Sequence, residues 1–380
     1  MSVSKKFDCI VLGLGAMGSS AAYQLSKRKK KVLGIEQFAC AHDKGSSHGE
    51  TRLIRKAYFE HPDYVPLLER SYELWKELEQ VVGKKLLHET GLIILGEKNQ
   101  SPVLAGVKQS SEKYKIPIQI WDRNTIQKLF PQAHVPENYE GIFEKTGGYL
   151  EVENCVRAFC EAALQLGADL RFEEKILGWK KIGSEFEVTT SKGKYFAEKI
   201  LLTAGPWTAS FLKGLEKYFK VHRAPLFWFE SKGDFRKENG VPCYAFDTEE
   251  GFFYGFTEKD GMIKIALHLP LQEVMTMDGV ERKVTFEDEK PVVNFVKKYL
   301  KGISPEPKKS ALCFYTMSPD THFILDEIPD KPGGYFGGGF SGHGFKFSSL
   351  IGEVLADWVC EGNTRHPVEF LKMKRFKREL

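Results

Sequence analysis

The sequence predicts a mixed α/β (α+β) chain of two domains, one built on a parallel sheet and the other on a mostly antiparallel sheet. Two observations favour this fold class. Between Phe7 and Glu36, a short apolar strand, a glycine-rich turn, a helix and a second strand follow one another. From about Lys220 the apolar spacing changes from helical to alternating, in a run of aromatic-rich strands. With 380 residues and 42% hydrophobic content, the chain is long enough to bury two cores.

The glycine-rich turn Gly13-Leu-Gly-Ala-Met-Gly18 predicts a dinucleotide-binding site. Gly13 allows the tight turn, Gly15 lets the backbone approach a pyrophosphate, and Gly18 lets helix and strand pack closely. The amide groups at the start of the following helix (residues 19–26) face the phosphates. The alternative is a glycine-rich hairpin turn without a ligand.

An acidic residue, Glu36, ends the second strand, which we place at Lys31 to Ile35. A carboxylate here accepts hydrogen bonds from ribose hydroxyls and repels a 2′-phosphate. The hairpin alternative does not account for Glu36. The pattern therefore favours a Rossmann-like domain for FAD or NAD and disfavours NADP.

Composition narrows the class of protein. The net charge of +4 is small for this length and does not indicate nucleic-acid binding. No apolar stretch is long enough to span a membrane, and we expect no signal peptide before Phe7. Seven scattered cysteines without a C-x-x-C motif predict a reducing compartment and no metal site, so the expected location is the cytoplasm.

A second motif, Gly45 to Tyr58, contains two arginines and a tyrosine at spacings of three. On a helix, Arg52, Arg55 and Tyr58 would lie near one face. Guanidinium groups near a cofactor suggest recognition of a carboxylate. The alternative pairs the arginines with Glu50 and Glu60 at the surface.

The central elements suggest that the cofactor domain is discontinuous. We predict an amphipathic helix from Pro62 to Val82, with Leu67, Leu68, Trp75 and Leu78 in the core. A strand from Gly91 to Leu95, a helix-rich stretch from Gln100 to Pro131 and a turn from Thr146 to Leu150 follow. We then predict a helix around Asn154 to Gln165 with buried Cys155 and Cys160, and strands at Leu170 to Phe172 and Lys199 to Thr203. The last strand enters Ala204-Gly-Pro-Trp207, a turn suited to approach the cofactor. The predicted cofactor domain is 1–84, 148–214 and 322–380, and the substrate domain is 85–147 and 215–321.

Three predicted strands, Ala224 to Glu230, Gly251 to Phe256 and Gly261 to Leu269, alternate like an antiparallel sheet. In the third, a period of two places Lys264 and His268 on one face with Ala266. That face either points to solvent or lines a site. By the same alternation Tyr254 shares a face with Phe252 and Phe256, and Cys313 shares one with Tyr315.

Near the carboxyl end, seven of the residues from Gly333 to Gly344 are glycine. Ordering so many glycines costs conformational entropy, so this backbone is expected to approach a ligand closely, with disorder as the alternative. Lys346 follows at the start of a helix that runs to about Cys360, where a cation requires an anionic partner.

Together these motifs resemble the monomeric sarcosine oxidase family, in the D-amino-acid-oxidase-like group that also holds N-methyltryptophan oxidase and pipecolate oxidase. The resemblance rests on the first glycine turn with Glu36, on Gly45-Ser-Ser-His-Gly-Glu-Thr-Arg-Leu-Ile-Arg-Lys-Ala-Tyr58, on Cys313-Phe-Tyr-Thr316 with Phe323-Ile-Leu-Asp326, and on Gly339-Phe-Ser-Gly-His-Gly-Phe-Lys346. The pair Ser47-His48 departs from the two histidines typical of sarcosine oxidases and is closer to pipecolate oxidases.

The resemblance implies a covalent FAD, with Cys313 bonded to the flavin 8α-methyl group. It also implies that Arg55 and Lys346 clamp the substrate carboxylate, and that Lys264 activates dioxygen. The predicted catalytic residues are Lys264, His268, Arg52 and Tyr315, and the predicted substrate-binding residues are Arg55, Lys346, Tyr58 and Tyr254. The predicted cofactor-binding residues are Gly13, Gly15, Ala16, Met17, Gly18, Glu36, Gln37, Ser46, Ser47, Arg52, Ile176, Gly205, Trp207, Cys313, Gly339, Gly342, His343, Gly344 and Lys346.

The implied reaction is FAD-dependent oxidation of a secondary amino acid, such as sarcosine, another N-methyl amino acid or pipecolate. The products would be an imine and hydrogen peroxide, and the partners a small amino acid and dioxygen, with the chain a monomer. Three alternatives remain open at this point: an amine dehydrogenase with a non-oxygen acceptor, an oxidase of glycated amino acids, and a catalytically silent FAD-binding protein.

Overall fold

The structure is a computed structural model, and it describes residues 6–378 apart from Pro270, Met275, Thr276 and Asp278. Its strands are β1 Lys6–Leu12, β2 Val32–Ile35, β3 Thr51–Ile54, β4 Leu87–His88, β5 Leu92–Glu97, β6 Gln119–Trp121, β7 Tyr139–Glu144, β8 Gly148–Glu151, β9 Asp169–Arg171, β10 Ile176–Ile182, β11 Glu185–Thr190, β12 Lys194–Leu202, β13 Lys220–Ser231, β14 Cys243–Thr248, β15 Gly251–Gly255, β16 Met262–Leu269, β17 Glu273–Val274, β18 Ile303–Met317, β19 Ile324–Glu327 and β20 Gly334–Gly338. Its helices are α1 Ala16–Lys27, α2 Val65–Val82, α3 Pro102–Tyr114, α4 Arg123–Leu129, α5 Val152–Gln165, α6 Thr208–Phe211, α7 Phe286–Tyr299 and α8 Ser348–Glu361.

The first sheet is built from three distant parts of the chain. Its main path runs β10-β11-β12-β1-β2-β9, and β20 pairs with β12 while β19 pairs with β20. The pairs β1–β2, β1–β12, β2–β9 and β12–β20 are parallel. The parallel centre expected of a Rossmann-like domain is therefore confirmed, while the pairs β10–β11, β11–β12 and β19–β20 are antiparallel. The carboxyl-end edge of the parallel strands collects the turns after β1, β2, β12 and β20.

The second sheet is mostly antiparallel, as predicted. Its main path is β17-β13-β16-β15-β14-β5-β7-β6, with β18 along β13, and the pair β14–β5 is parallel. In β16, Ile263 and Ile265 lie in one buried cluster and Ala266 in another, which confirms the predicted alternation. The strand β14 was not predicted.

A third, three-stranded sheet has the order β3-β8-β4 and corrects two predictions. Arg52 lies in strand β3, which pairs antiparallel with β8, so it is not on a helix. Residues 148–151 form β8, where we predicted a turn. The β-branched and apolar residues of β3 are buried against β8, and this tertiary pairing outweighs the helical spacing of the arginines.

The helices bury their predicted apolar faces. Helix α2 places Leu67, Leu68, Trp75 and Leu78 in the main core, and Cys155 and Cys160 of α5 are buried as predicted. Helix α1 packs between α5 and α8. Within the described part of the chain, no helix has the length and apolarity to cross a membrane, and no cluster of potential metal ligands occurs. The domain boundaries stay a prediction.

Candidate active site

A cavity of about 420 Å³ lies at the carboxyl ends of the parallel strands. Gly13 follows β1, Glu36 follows β2, Thr203 follows β12 and Gly339 follows β20, and all four line this cavity. Ligands of open α/β sheets bind at this edge. The amino-terminal glycine turn and the carboxyl-terminal glycine loop are thus parts of one site.

The backbone of the first turn requires its glycines. Gly13 has φ +92°, and a Cβ there would lie 2.8 Å from the carbonyl oxygen of Thr203. A Cβ on Gly18 would lie 1.8 Å from the carbonyl oxygen of Gly13. Helix α1 begins after Gly15, which offers no capping side chain, so the helix start is open to the cavity.

Glu36 is buried at the cavity wall with its carboxylate fixed by two backbone amides. Its Oε2 accepts from Leu14 N at 3.0 Å and its Oε1 from Phe38 N at 3.1 Å. Each oxygen keeps further lone-pair capacity. The carboxylate therefore stays where it can accept from a hydroxyl-bearing ligand.

A smaller cavity of about 50 Å³ adjoins the first, because Arg52, Tyr315, Gly342 and Phe345 line both. Six of the predicted catalytic and substrate-binding residues line it: Arg52, Arg55, Tyr254, His268, Tyr315 and Lys346. Gly342 has φ +79°, and a Cβ there would lie 2.3 Å from the ring of Tyr315. The glycine is what allows this loop to pass between the two cavities.

The two arginines have different partners. Arg52 Nη2 lies 3.1 Å from Cys313 Sγ and 3.3 Å from the carbonyl oxygen of Ser46. Arg55 Nη2 donates to Glu60 at 2.8 and 2.6 Å. The Arg55–Glu60 pair proposed as a surface alternative therefore exists, but it is buried and faces the smaller cavity, whereas the alternative pairing of Arg52 with Glu50 is wrong.

Glu60 is kept ionised in spite of its burial. Burial alone raises the pKa of this carboxyl, but the charge and the hydrogen bonds of Arg55 lower it to about 2. The Nε of Arg55 is buried and makes no hydrogen bond within the described residues. Arg55 thus keeps an unused donor beside the smaller cavity.

Lys346 is buried and bonds to neutral oxygens. Its Nζ donates to the carbonyl oxygen of His343 at 2.7 Å and to Tyr58 Oη at 3.4 Å. Burial, followed by the charge of Arg55, lowers the pKa of Lys346 well below its usual value. An anion entering the cavity would stabilise the ammonium form. Such an anion would be the partner that the sequence pattern requires for a cation at a helix start.

Tyr58 supports the smaller cavity from behind, and its hydrogen-bond partner His343 lines that cavity. The Tyr58 hydroxyl lies 2.7 Å from His343 Nδ1, and His343 Nε2 lies 3.0 Å from the carbonyl oxygen of Thr321. Tyr58 is fully buried and lines neither cavity. Burial lowers the pKa of His343 to about 3, so this ring is neutral.

Lys264 and His268 do not form a solvent face, so that alternative is wrong. Lys264 is 3% exposed, and its Nζ donates to the carbonyl oxygens of Gly49 and Thr51 while lying 4.2 Å from the centre of the Phe256 ring. His268 lines the smaller cavity, with its Nδ1 3.2 Å from the Tyr315 hydroxyl. Burial lowers the pKa of His268 to about 4.

Most residues predicted to bind the cofactor line the larger cavity. Those that do are Gly13, Gly15, Ala16, Met17, Glu36, Gln37, Ser46, Ser47, Arg52, Ile176, Gly205, Trp207, Gly339, Gly342 and Gly344. Gly18, Cys313, His343 and Lys346 do not, and Cys313 lies behind the wall, beside Arg52 and the carbonyl oxygen of Ser46.

Several residues of the site were missed. Phe59, Phe252 and Phe345 line the smaller cavity, and Glu153 accepts from the amides of Gly49 and Glu50. Phe252 could have been found from its strand pattern, because it shares a face with Tyr254. Glu153 had none, because its contact joins positions 104 residues apart.

Comparison with known proteins agrees with this geometry. Residues 8–358 match the model of a protein family described as FAD dependent oxidoreductase. The chain belongs to this family. It is an FAD-dependent oxidoreductase of the amino acid oxidase type.

Its relatives place it in the sarcosine oxidase group. The chain is 35% identical to a monomeric sarcosine oxidase of Bacillus sp. (strain B-0618), over 98% of this chain and 97% of the relative. It is 31% identical to an N-methyl-L-tryptophan oxidase of Yersinia pestis (strain Pestoides F), over 98% and 100%. Among solved structures, NikD, an amino acid oxidase of nikkomycin biosynthesis, is similar in fold, with a TM-score of 0.86 at 22% identity over 97% of this chain and 98% of that chain.

The residues of the larger cavity fit FAD. The start of α1, where Ser47 Oγ accepts from Ala16 N, suits the pyrophosphate, the fixed carboxylate of Glu36 suits ribose hydroxyls, and a wall of glycine backbone suits a flat ring. The ring end would then lie toward Arg52, Tyr315 and Gly342, where the two cavities meet.

Proposed function

We propose that this FAD-dependent oxidoreductase oxidises a secondary amino acid, such as sarcosine, another N-methyl amino acid or pipecolate, to an imine and transfers the electrons to dioxygen, giving hydrogen peroxide. The observation that carries the proposal is the pair of buried cationic side chains, Arg55 and Lys346, lining a small cavity next to the dinucleotide cavity. A carboxylate is the ligand that two such donors prefer. Bound FAD would supply the hydride acceptor and the electron transfer to dioxygen.

Binding of the substrate carboxylate by Arg55 and Lys346 fixes the orientation of the α-carbon. The free Nε of Arg55 is a donor available for this purpose, and the charge of a carboxylate would favour the ammonium form of Lys346. Holding the reacting carbon in one position lowers the activation barrier of the reaction.

The same cations prepare the amine. A site in which Arg52, Arg55 and Lys346 outnumber the carboxylate of Glu60 disfavours a further positive charge, so it lowers the pKa of the bound amine and favours its reactive neutral form. His268, whose ring is neutral because burial lowers its pKa to about 4, is able to accept a hydrogen bond from the amine N–H. The aromatic side chains of Phe59, Phe252 and Tyr254 surround this position and exclude water.

We assign dioxygen activation to Lys264. Lys264 lines neither cavity but lies against the carbonyl oxygens of Gly49 and Thr51, next to Arg52. From there a buried ammonium would stabilise negative charge that develops on oxygen, which is an electrostatic form of catalysis. Burial lowers the pKa of Lys264. Its two carbonyl partners and the nearby carboxylates of Glu50 and Glu153 act in the opposite direction and favour the charged form.

We further propose that Cys313 forms the covalent bond to FAD. Burial works to raise the pKa of this thiol, but the charge of Arg52 and the neighbouring His48 bring it to about 7. A thiolate is the form that attacks an electrophilic carbon. Arg52 Nη2, 3.1 Å from Sγ, is the group that stabilises it.

A peroxide-coupled screen of the purified protein tests the function. The set contains sarcosine, N-methyl amino acids of increasing size, L- and D-pipecolate, a glycated amino acid and primary amino acids as controls. We expect peroxide from at least one secondary amino acid and far less from its primary counterpart. Substrate-dependent reduction of the flavin without oxygen consumption would instead assign a dehydrogenase, and no reduction of the flavin with any compound would assign a silent FAD-binding protein.

We also propose that the protein is a monomer located in the cytoplasm.

A further inference from the structure

Two cysteines lie directly behind the wall of the larger cavity. Cys40 is in the turn that follows β2 and Glu36, and Cys160 is in helix α5. Cys40 packs against a small buried cluster formed by Ala16, Val156 and Cys160. Phe345 packs against the same cluster, and both Ala16 and Phe345 line the larger cavity.

The two thiols differ in a way that favours reaction between them. Cys40 is half-buried and reachable from solvent, whereas Cys160 is 2% exposed. The interaction between the two thiols lowers the pKa of Cys40 and raises that of Cys160. Arg157 on α5 also lowers the pKa of Cys40, while Glu36 and Glu161 oppose it. A partly exposed thiol of lowered pKa next to a second thiol is the arrangement found in peroxide-reactive sites.

We propose that Cys40 and Cys160 are a redox modification site, in which hydrogen peroxide converts the two thiols into a disulfide that ties the segment 36–44 to helix α5. All seven cysteines are free thiols in the described part of the chain, so this structure is the reduced form. Both side chains pack in the same small cluster, so the two thiols are neighbours, as disulfide partners must be.

The reaction balances in two steps. The Cys40 thiolate attacks one peroxide oxygen, the O–O bond breaks, and hydroxide leaves while Cys40 becomes a sulfenic acid. The Cys160 sulfur then attacks the Cys40 sulfur, the S–O bond breaks, and the hydroxyl leaves as water with the proton of Cys160. In total, two thiols lose two electrons and two protons, and one peroxide becomes two waters.

The disulfide would act on the nucleotide end of the cavity. The segment it would fix includes Glu36, Gln37 and His42, which line the larger cavity, and Ala41, whose φ of +56° is unusual for a residue with a side chain. In turnover, the peroxide would come from the proposed oxidase reaction. The chemistry of the pair itself needs only peroxide from any source.

The test uses the full chain with its cofactor, reduced, freed of reductant and given a small excess of hydrogen peroxide without any amino acid. After trapping of free thiols, the protein is digested without reduction and its peptides are measured by mass spectrometry. We expect a peptide pair joined through Cys40 and Cys160 that a thiol reductant separates. Cys40 should lose its free thiol several-fold faster than Cys360, the other half-buried cysteine, because the pKa of Cys40 is lowered and that of Cys360 is raised, so Cys40 holds the larger thiolate fraction.

Variants distinguish the pair from general oxidation. In Cys160→Ser, Cys40 should stop at a sulfenic acid that dimedone traps, and in Cys40→Ser, Cys160 should stay reduced. Cys360→Ser is the matched control and should leave the disulfide unchanged. Amide hydrogen exchange of residues 38–44 should be several-fold slower in the oxidised than in the reduced protein.

Equal loss of the Cys40 and Cys360 thiols, or oxidation of Cys40 without a bond to Cys160, would overturn the proposal. Because peroxide is added, these outcomes do not depend on whether the protein makes peroxide. A failed substrate screen with an intact disulfide would count against the proposed function alone.

Discussion

Lys264 Nζ donates a hydrogen bond of 2.7 Å to the carbonyl oxygen of Gly49, and the amide of the same glycine donates a hydrogen bond of 2.7 Å to Glu153 Oε1. A single peptide turn therefore connects the buried ammonium to helix α5. The carboxylate fixes the turn from one side, and the carbonyl oxygens of Gly49 and Thr51 hold the ammonium on the other. Lys264 depends on a residue that does not touch it.

Changing Glu153 to Gln should weaken this support. The variant keeps the shape but removes the charge that favours the ammonium form of Lys264, so its pKa should fall further. We expect reaction of the reduced enzyme with dioxygen to slow at alkaline pH, and its pH profile to shift to lower pH. Stopped-flow measurement across a pH series checks this, with Glu161→Gln, a surface residue of the same helix paired with Lys84, as the control. An unchanged profile would remove the role of Glu153.

Replacement of Lys264 by Met should separate the two half-reactions. The side chain is similar in size but carries no charge, so reoxidation by dioxygen should slow by about 100-fold or more, the usual effect of removing a preorganised electrostatic group. Anaerobic reduction by substrate should change little. Equal losses in both half-reactions would contradict the assignment of Lys264 to dioxygen.

Lys346→Ala should weaken substrate binding. Loss of a charge-assisted hydrogen bond of about 1.5–3 kcal/mol corresponds to an increase in KM of about tenfold to 100-fold, with a smaller change in kcat if the interaction is made equally in the ground and transition states. Steady-state kinetics check this. Lys298→Ala, which removes an exposed lysine paired with Glu250, should leave KM unchanged.

Cys313→Ala should release the flavin. In the natural chain, we expect yellow fluorescence to remain on the protein band after denaturing gel electrophoresis, and Arg52→Gln should slow the attachment because the thiol pKa would rise. Cys243→Ala is the matched control, since burial raises the pKa of that thiol to about 11. A yellow supernatant after acid precipitation of the natural protein would refute the covalent bond.

Stability should fall as the pH falls below about 6.5. Burial lowers the pKa of His268 to about 4 and that of His343 to about 3, whereas both take up protons near pH 6.5 in the unfolded chain. The unfolded state therefore binds more protons below pH 6.5, and the free energy of unfolding decreases there. Above pH 6.5 both rings are neutral in the folded and in the unfolded state, so they no longer change the free energy of unfolding with pH.

Urea unfolding at pH values between 5 and 7 measures this slope, a range in which carboxylates of lowered pKa such as Glu60 contribute little. The variant His343→Gln should make the slope shallower. His134→Gln, at an exposed position, serves as the control. Identical slopes for all three proteins would show that the buried ring does not govern this range.

Much of the fold was predictable because local patterns and tertiary structure agree. The glycines of the first turn are required by its backbone geometry, which nucleotide-binding turns share. In β16, the alternation of side chains in the sequence matches the two buried faces of the strand. Helix α2 likewise shows its core side in the spacing of Leu67, Leu68, Trp75 and Leu78.

The rest depends on contacts between distant residues. The spacing of Arg52 and Arg55 suits a helix, but pairing with β8 makes the segment of Arg52 a strand. The burial of Glu60 follows from the aromatic residues that enclose the smaller cavity, and these come from elements nearly 300 residues apart. No pattern within one segment carries that information.

The assembly of the first sheet constrains how the chain acquires its structure during synthesis. Strand β12 pairs parallel with β1 on one side, whereas on the other side its first residues pair antiparallel with β11 and only Ile200 to Leu202 pair with β20, near the carboxyl end. On the ribosome, this end of β12 has no partner on that side until residues 334–338 emerge, and the nucleotide crevice lacks one side until then. Chains terminated before this point should therefore be insoluble and dependent on chaperones, and cofactor loading should be among the last events of biogenesis.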